Sequence, residues 1–249
     1  MNAFSVLLLA ATTAAALKKD NRPVIGVVAQ PTPSTLASYG ASFFPASYIK
    51  YIESAGARAI PLRYDSPLAA LDRDLKRVNG IWFPGGSSHI SGTSAFAVAA
   101  RHLFASAVDA GLPVWGTCMG FQQVLLYSSS GGRADPGKVL SKVDAEAIFL
   151  PLKWGPGVAG SSLYNALAAT AAATTLESTN STINLHHYGV LTESFAADAG
   201  LVDKFRVLST NFDRGGKEFV SLVEHKTLPI VASQFHPEKN AYVEEEREI

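Results

Sequence analysis

At 249 residues, with 47% hydrophobic and 17% charged side chains, the chain has the size and make-up of one α/β domain with a full core. Lysine plus arginine and aspartate plus glutamate number 21 each, a balance that argues against a polyanionic partner, so no nucleic acid is expected. The single cysteine, Cys118, excludes an intrachain disulfide and leaves its thiol free for chemistry.

The chain opens on a short apolar run, Phe4 to Ala11, followed by Thr12, Thr13, Ala14-Ala15-Ala16 and then the charged Lys18, Lys19 and Asp20. The run is too short to span a bilayer and ends in small residues, so residues 1–16 read as a secretory signal, with a disordered Ala-rich tail as the alternative. No other segment has the length and apolarity of a membrane span, and no membrane partner is expected. Asn180-Ser181-Thr182 forms a glycosylation sequon, in keeping with an extracellular, lysosomal or vacuolar destination.

Val24 to Ala29 is a continuous apolar run, the mark of a strand buried on both faces. After a polar loop, Ala46 to Ala55 reads as a helix with Ile49, Ile52 and Ala55 on one face. Gly56 ends it, and Ala57 to Leu62 is the next strand. Pro67 to Val78 is a second helix, Gly80 to Phe83 a third strand, Ala95 to Ala110 a third helix, and Val114-Trp115 a fourth strand. This alternation predicts an α/β fold with a doubly wound, mostly parallel sheet and helices on both faces. In such sheets ligands bind beyond the carboxyl ends of the strands.

Further on the pattern weakens. Gly131 to Lys138 reads as a loop and Ala145 to Leu150 as a strand. Gly155 to Thr179, rich in Ala, Gly, Ser and Thr, fits either a helix or a surface excursion. Asn184 to Gly189 is a short polar-aromatic segment, and Phe195 to Leu201 reads as helical. Phe205 to Asn211, Phe219 to Glu224 and Ile230 to Phe235 then read as strands.

The chemistry concentrates at Gly116-Thr117-Cys118-Met119-Gly120, a G-x-C-x-G turn between a buried strand and a helix start. This is the nucleophile-elbow pattern with cysteine in place of serine. A thiol at a helix N-terminus is biased towards thiolate. A cysteine nucleophile needs a base, and His236, which ends the last strand, is the best placed of the six histidines. Glu238, past Pro237, points the same way and would orient the imidazole. The Met119 N–H and a donor from the Gly85-Gly86 loop are the expected oxyanion contacts. No spacing of His, Cys and carboxylates suits a metal and no phosphate loop is present, so neither metal nor cofactor is expected.

The elbow, Pro84-Gly85-Gly86 and His236-Pro237-Glu238 together resemble a class I glutamine amidotransferase-type domain, which implies a flavodoxin-like fold. Tyr39-Gly40, the stretch Ala46 to Arg58, Asn79 to Gly86, Pro113 to Cys118 and Phe235 to Lys239 narrow this to a resemblance to the gamma-glutamyl hydrolase family. The similarity runs from about Val24 to Glu238 and is weak from Gly131 to Thr182. It implies cofactor-free hydrolysis of γ-linked glutamate chains on folates through an acyl-enzyme, usually by a homodimer. By motif match it implies Cys118 as nucleophile, His236 as acid/base and Glu238 as its support. His186 falls where the family has an additional active-site histidine, and Gln122 stands where many members have glutamate; both are expected at the substrate.

The rival readings are a glutaminase-type domain that hands ammonia to a synthase and a non-catalytic member that holds γ-glutamyl ligands. The family continues past His-Pro-Glu-Lys to a C-terminal helix, whereas this sequence ends at Ile249 after Glu244-Glu245-Glu246. The expectation is therefore a single catalytic domain over residues 22–249, incomplete at its C-terminus, with a strip of sheet left uncovered.

Overall fold

A computed structural model of the protein describes residues 21–132 and 135–242. The expected signal segment and the acidic run Glu244 to Glu246 lie outside the described residues.

The apolar run after Pro23 forms β1 (Val24–Pro31), whose residues 26–30 are all buried. It pairs in parallel with β3 (Arg58–Arg63) on one side and β4 (Gly80–Phe83) on the other. A short strand, β2 (Ser42–Phe43), continues the β3 edge antiparallel to the end of β1. Beyond β4 come β5 (Val114–Thr117) and β11 (Ile230–Ser233), both parallel to it. The sheet then reverses sense through β10 (Glu218–His225), β9 (Phe205–Phe212) and β7 (Lys153–Trp154), paired antiparallel in that order. Five parallel strands in the order β3-β1-β4-β5-β11 reproduce the doubly wound arrangement expected from the sequence, with the switch point between β1 and β4.

Helices cover the sheet as the periodicity requires. On one face α2 (Leu68–Leu75), α3 (Ala95–Asp109), α4 (Met119–Ser128) and α8 (Ala199–Lys204) enclose a large core that includes Leu71, Ile81, Phe83, Leu103, Phe121, Leu125, Leu201 and Val220. Each such side chain contributes roughly 1.5–3 kcal/mol by leaving water. The N-terminus of α3 is capped by the Ser94 hydroxyl, which accepts from the Ala97 N–H at 3.2 Å, and Gly111 at φ +64 carries the chain out of its far end. On the other face α1 (Ala46–Ser54) packs Tyr48 and Ile52 against Val27 and Trp82. Trp82 stacks on Trp115 at 5.3 Å between ring centres. Between α1 and α5 (Ser162–Ala168) this face opens into a cleft of about 730 Å³ lined by Tyr51, Trp82, Trp115, Leu163 and Val231.

The middle of the chain departs most from the sequence reading. Gly155 to Thr179 contains two short helices, α5 and α6 (Ala172–Ser178), the first capped by Ser161. The strand expected from Ala145 begins earlier, as β6 (Ser141–Leu150). The polar-aromatic segment is a full strand, β8 (Thr182–Gly189), paired antiparallel with β6 in a separate two-stranded arm. The helix expected from Phe195 to Leu201 is broken at Asp198 into α7 (Thr192–Ala197) and α8. A last short helix, α9 (Lys239–Tyr242), follows Glu238.

Candidate active site

Cys118 sits where β5 turns into α4, with φ +52 and ψ −108. A non-glycine residue rarely adopts such a backbone, and holding it there costs about 1–3 kcal/mol. The surroundings over-determine it. The Cys118 N–H donates to Ser233 O of β11 at 2.9 Å, and Cys118 O accepts from the Gln122 N–H at 3.1 Å. The flanking glycines are required by space: a Cβ on Gly120 would fall 1.9 Å from Phe83 O, and one on Gly116 would fall 2.6 Å from Gly120 O. The thiol, at the buried N-terminus of α4, lies 3.8 Å from Leu185 O of β8.

His236 lies three residues past the end of β11, which stops at Ser233 rather than continuing to Phe235. Its N–H donates to Ile183 O of β8 at 2.9 Å. Its Nδ1 is 2.7 Å from Glu238 Oε1 and 3.3 Å from the Tyr48 hydroxyl. Burial alone lowers the imidazole pKa, but the negative charges of Cys118 and Glu238 overcome it and push it up to about 10. His236 therefore carries a proton at neutral pH. Tyr48, at the start of α1, is raised well above the usual phenol by burial and by the charges of Glu238 and Cys118, so it stays a neutral hydroxyl.

Gly85 stands between these groups. A Cβ there would lie 2.7 Å from His236 Cε1, 2.7 Å from the Tyr48 hydroxyl and 3.2 Å from Cys118 Cβ, so only glycine leaves the space open. Its N–H donates to the Tyr48 hydroxyl at 2.7 Å. Of the two loop amides expected at the oxyanion, Gly85 is thus already engaged, and Gly86 is the one without a hydrogen bond among the described residues. Gln30, buried at the end of β1, donates to Gly85 O at 2.8 Å and accepts from Ser88 Oγ at 3.2 Å. The turn rests on this side chain so closely that a Cβ on Gly86 would fall 2.0 Å from Gln30 Oε1. Met119 opens α4, where the first N–H groups lack intrahelical partners.

The remaining expected residues are near the site but differently occupied. Gln122, one turn into α4, donates to Tyr188 O at 2.7 Å and reaches Gln234 Oε1 at 3.4 Å, tying the helix to β8. His186 is buried, with Nδ1 3.0 Å from Tyr188 O and Nε2 3.1 Å from Asn184 Oδ1, and its ring meets Phe219 edge-on at 5.1 Å. Burial lowers its pKa to about 3, so it is neutral. A neutral ring donates through one nitrogen only, and the Nδ1–H bond to Tyr188 O gives His186 a part in shaping β8.

Tyr48, Gln30 and the β8 carbonyls are the parts that sequence reasoning missed. Tyr48 had a signal, since it pairs with Ile52 at i,i+4 on the buried face of α1, and so did Gln30, a polar residue at the carboxyl end of an apolar strand. The carbonyls of Ile183 and Leu185 had none.

A free cysteine on a strand–helix elbow, a buried His-Glu pair after the neighbouring strand and a glycine turn between them form a candidate cysteine site of the kind the sequence resemblance implies. The fold agrees: the glutaminase domain of Trypanosoma brucei CTPS, solved with bound acivicin, superposes with a TM-score of 0.58 at 17% identity, over 87% of this chain and 86% of that one. Residues 23–238 match the peptidase C26 family, and the chain belongs to it. It is 34% identical over 229 residues to gamma-glutamyl hydrolase B of Dictyostelium discoideum, covering 90% of this chain and 64% of that protein. It is 34% identical over 228 residues to gamma-glutamyl hydrolase of Mus musculus, covering 90% and 69%. The chain thus spans about two thirds of the length of the curated relatives it matches.

Proposed function

We propose that this chain hydrolyses γ-glutamyl bonds of folylpoly-γ-glutamates through a thioester on Cys118. The observation that carries the reading is the Cys118–Gly85–His236 arrangement, backed by Glu238 at 2.7 Å. The names of the relatives supply the γ-glutamyl bond, and the folate conjugate is what the sequence resemblance implies.

In the first step Cys118 Sγ, its charge held by the protonated His236, attacks the γ-carbonyl carbon. The Met119 and Gly86 N–H groups receive the oxyanion in a desolvated site, where fixed donors act most strongly. Collapse of the intermediate breaks the C–N bond, and His236 delivers its proton to the leaving amine. His236, now neutral, takes a proton from water as that water attacks the thioester. The C–S bond breaks, the acid is released and the charge pair is restored. Glu238 holds the Nδ1–H throughout and keeps the imidazole in register.

A folylpolyglutamate assay with glutamine as the competing substrate tests this. Release of glutamate or poly-γ-glutamate from the folate conjugate is expected, with glutamine turned over far more slowly; preferential ammonia release from glutamine would favour a glutaminase, and turnover of neither a binding role. Passage through the secretory route, a glycan on the exposed Asn180 and a homodimer complete the proposal. Expression of the full chain in a eukaryotic cell, with glycosidase treatment and sizing of the product, tests all three.

A further inference from the structure

The arm β6–β8 is irregular in a specific way. Lys142 pairs with Tyr188, Ala145 with His186 and Ile148 with Asn184, so β6 twice advances three residues against two on β8. Each shift is a bulge that bends the arm. The second contains Ala147 at φ +51, a conformation alanine does not hold unaided.

Both bulges are gripped by the turn between β9 and β10. Asp213, itself buried, accepts the Asp144 N–H at 2.9 Å and the Lys217 N–H at 2.8 Å. The Arg214 N–H donates to Asp144 O at 3.1 Å. The Arg214 guanidinium reaches Asp144 Oδ1 at 2.8 Å, Glu146 O at 2.7 Å and Ala147 O at 3.3 Å. Lys217 Nζ adds a bond to Lys142 O at 2.7 Å. A planar fork is suited to holding several acceptors at once, which a single ammonium is not.

The other edge of the arm faces the catalytic pair. Ile183 O holds the His236 N–H, Leu185 O lies 3.8 Å from Cys118 Sγ, and Tyr188 O holds Gln122 at 2.7 Å. We infer that the Asp213–Arg214 turn is a positioning element of the catalytic site, acting through the two β6 bulges that set where β8 presents the Ile183 and Leu185 carbonyls. The path runs from turn to bulge, from bulge to the register of β8, and from β8 to the backbone of His236 and the thiol of Cys118. Neither Asp213 nor Arg214 touches the reacting atoms; both act through β8.

The inference rests on the proposed hydrolysis for its kinetic readout, and the test therefore includes one that does not. The full chain, Arg214→Ala, Arg214→Lys and Asp213→Asn are compared for kcat and KM on a γ-glutamyl-glutamate conjugate, and for the rate at which iodoacetamide alkylates Cys118. The positioning role predicts that kcat falls on the order of tenfold to a hundredfold in Arg214→Ala, as for a small displacement of reacting groups. KM stays nearly constant, thermal unfolding remains cooperative and the alkylation rate shifts. Free guanidinium at low concentration restores part of the loss, whereas Arg214→Lys restores little. Asp213→Asn, which keeps one acceptor oxygen, falls between. If the parent fails to turn over the conjugate, the proposed hydrolysis fails and alkylation alone decides the positioning role. Unchanged kcat and alkylation in Arg214→Ala and Asp213→Asn overturn the inference, as does a loss that tracks the unfolded fraction without guanidinium recovery.

Discussion

Cys118 is held by its own backbone, whereas His236 is held by its neighbour Glu238 and by a side chain and a carbonyl from two distant parts of the chain. The cysteine is fixed mainly by the five-residue elbow: a φ of +52 and two glycines that let it press against Phe83 and itself, with one main-chain bond to Ser233 O of β11. The histidine depends on Tyr48 from α1, Glu238 beyond Pro237 and Ile183 of β8. A local lock resists change elsewhere in the chain but tolerates almost no substitution within itself. A distributed network tolerates the loss of one member at graded cost, because the remaining contacts still hold the ring.

The proposed reacting groups should give the largest effects. Cys118→Ala and His236→Ala should each lower turnover by roughly 10⁶-fold, as when a nucleophile or its base is removed from a triad, and Glu238→Ala by roughly 10⁴-fold. Steady-state kinetics on a γ-glutamyl substrate measures all three. If Glu238→Ala proves worse than His236→Ala, the carboxylate is more than an orienting group and the assignment of roles fails.

Gly120→Ala tests the local lock. Its methyl would overlap Phe83 O, so α4 must move away from β4. Overpacking of this kind costs about 1–3 kcal/mol and sometimes more. A lower urea midpoint together with slow alkylation of Cys118 is expected; parent-like values for both would show that the elbow has slack.

The two buried histidines respond to pH in opposite senses. His236, raised from 6.5 to about 10, contributes stability that is complete below about pH 6.5 and is lost as pH rises through about 10. His186, lowered from 6.5 to about 3, contributes stability that is complete above about pH 6.5 and is lost as pH falls towards 3. Over the first one and a half units of acidification His186 should account for about 2 kcal/mol. Urea unfolding at several pH values checks this: His186→Gln should flatten the acid limb and His236→Gln the alkaline one. An acid limb that keeps its slope in His186→Gln would place the titrating group elsewhere.

The smallest effect is expected at Tyr48. Tyr48→Phe removes the acceptor of the Gly85 N–H and one contact of the His236 ring, worth about 1–2 kcal/mol. A fall in kcat of roughly tenfold follows from that energy, with His236 still held by Glu238 and Ile183. A loss as deep as that of His236→Ala would mean that Tyr48 takes part in the chemistry.

The same division between local and distributed explains what could be read from the chain. The elbow was legible because Gly116, Cys118 and Gly120 record a local steric requirement, and the parallel strands because β1 and β4 are short apolar runs. His236 and Glu238 were legible as a pair only because they lie two residues apart. β8 was not: two bulges in its partner break the period of two, and its polar residues answer to Cys118, Gln122 and His236, far away in sequence. Gly155 to Thr179 was ambiguous for a related reason. The first of its weak helices, α5, is anchored from outside, by Glu224 of β10, which accepts from the Ser162 and Leu163 N–H groups at 3.2 and 3.3 Å.

The central claim is that Cys118 carries the γ-glutamyl group as a thioester. Mixing the protein with a γ-glutamyl-glutamate conjugate, quenching in acid within the first turnover and weighing the intact chain and its peptides tests it directly. The account predicts an added acyl mass on the peptide containing Cys118, labile to hydroxylamine and absent in Cys118→Ala. Turnover of the same substrate by Cys118→Ala at the parent rate, with no acyl mass on the parent chain, would contradict it.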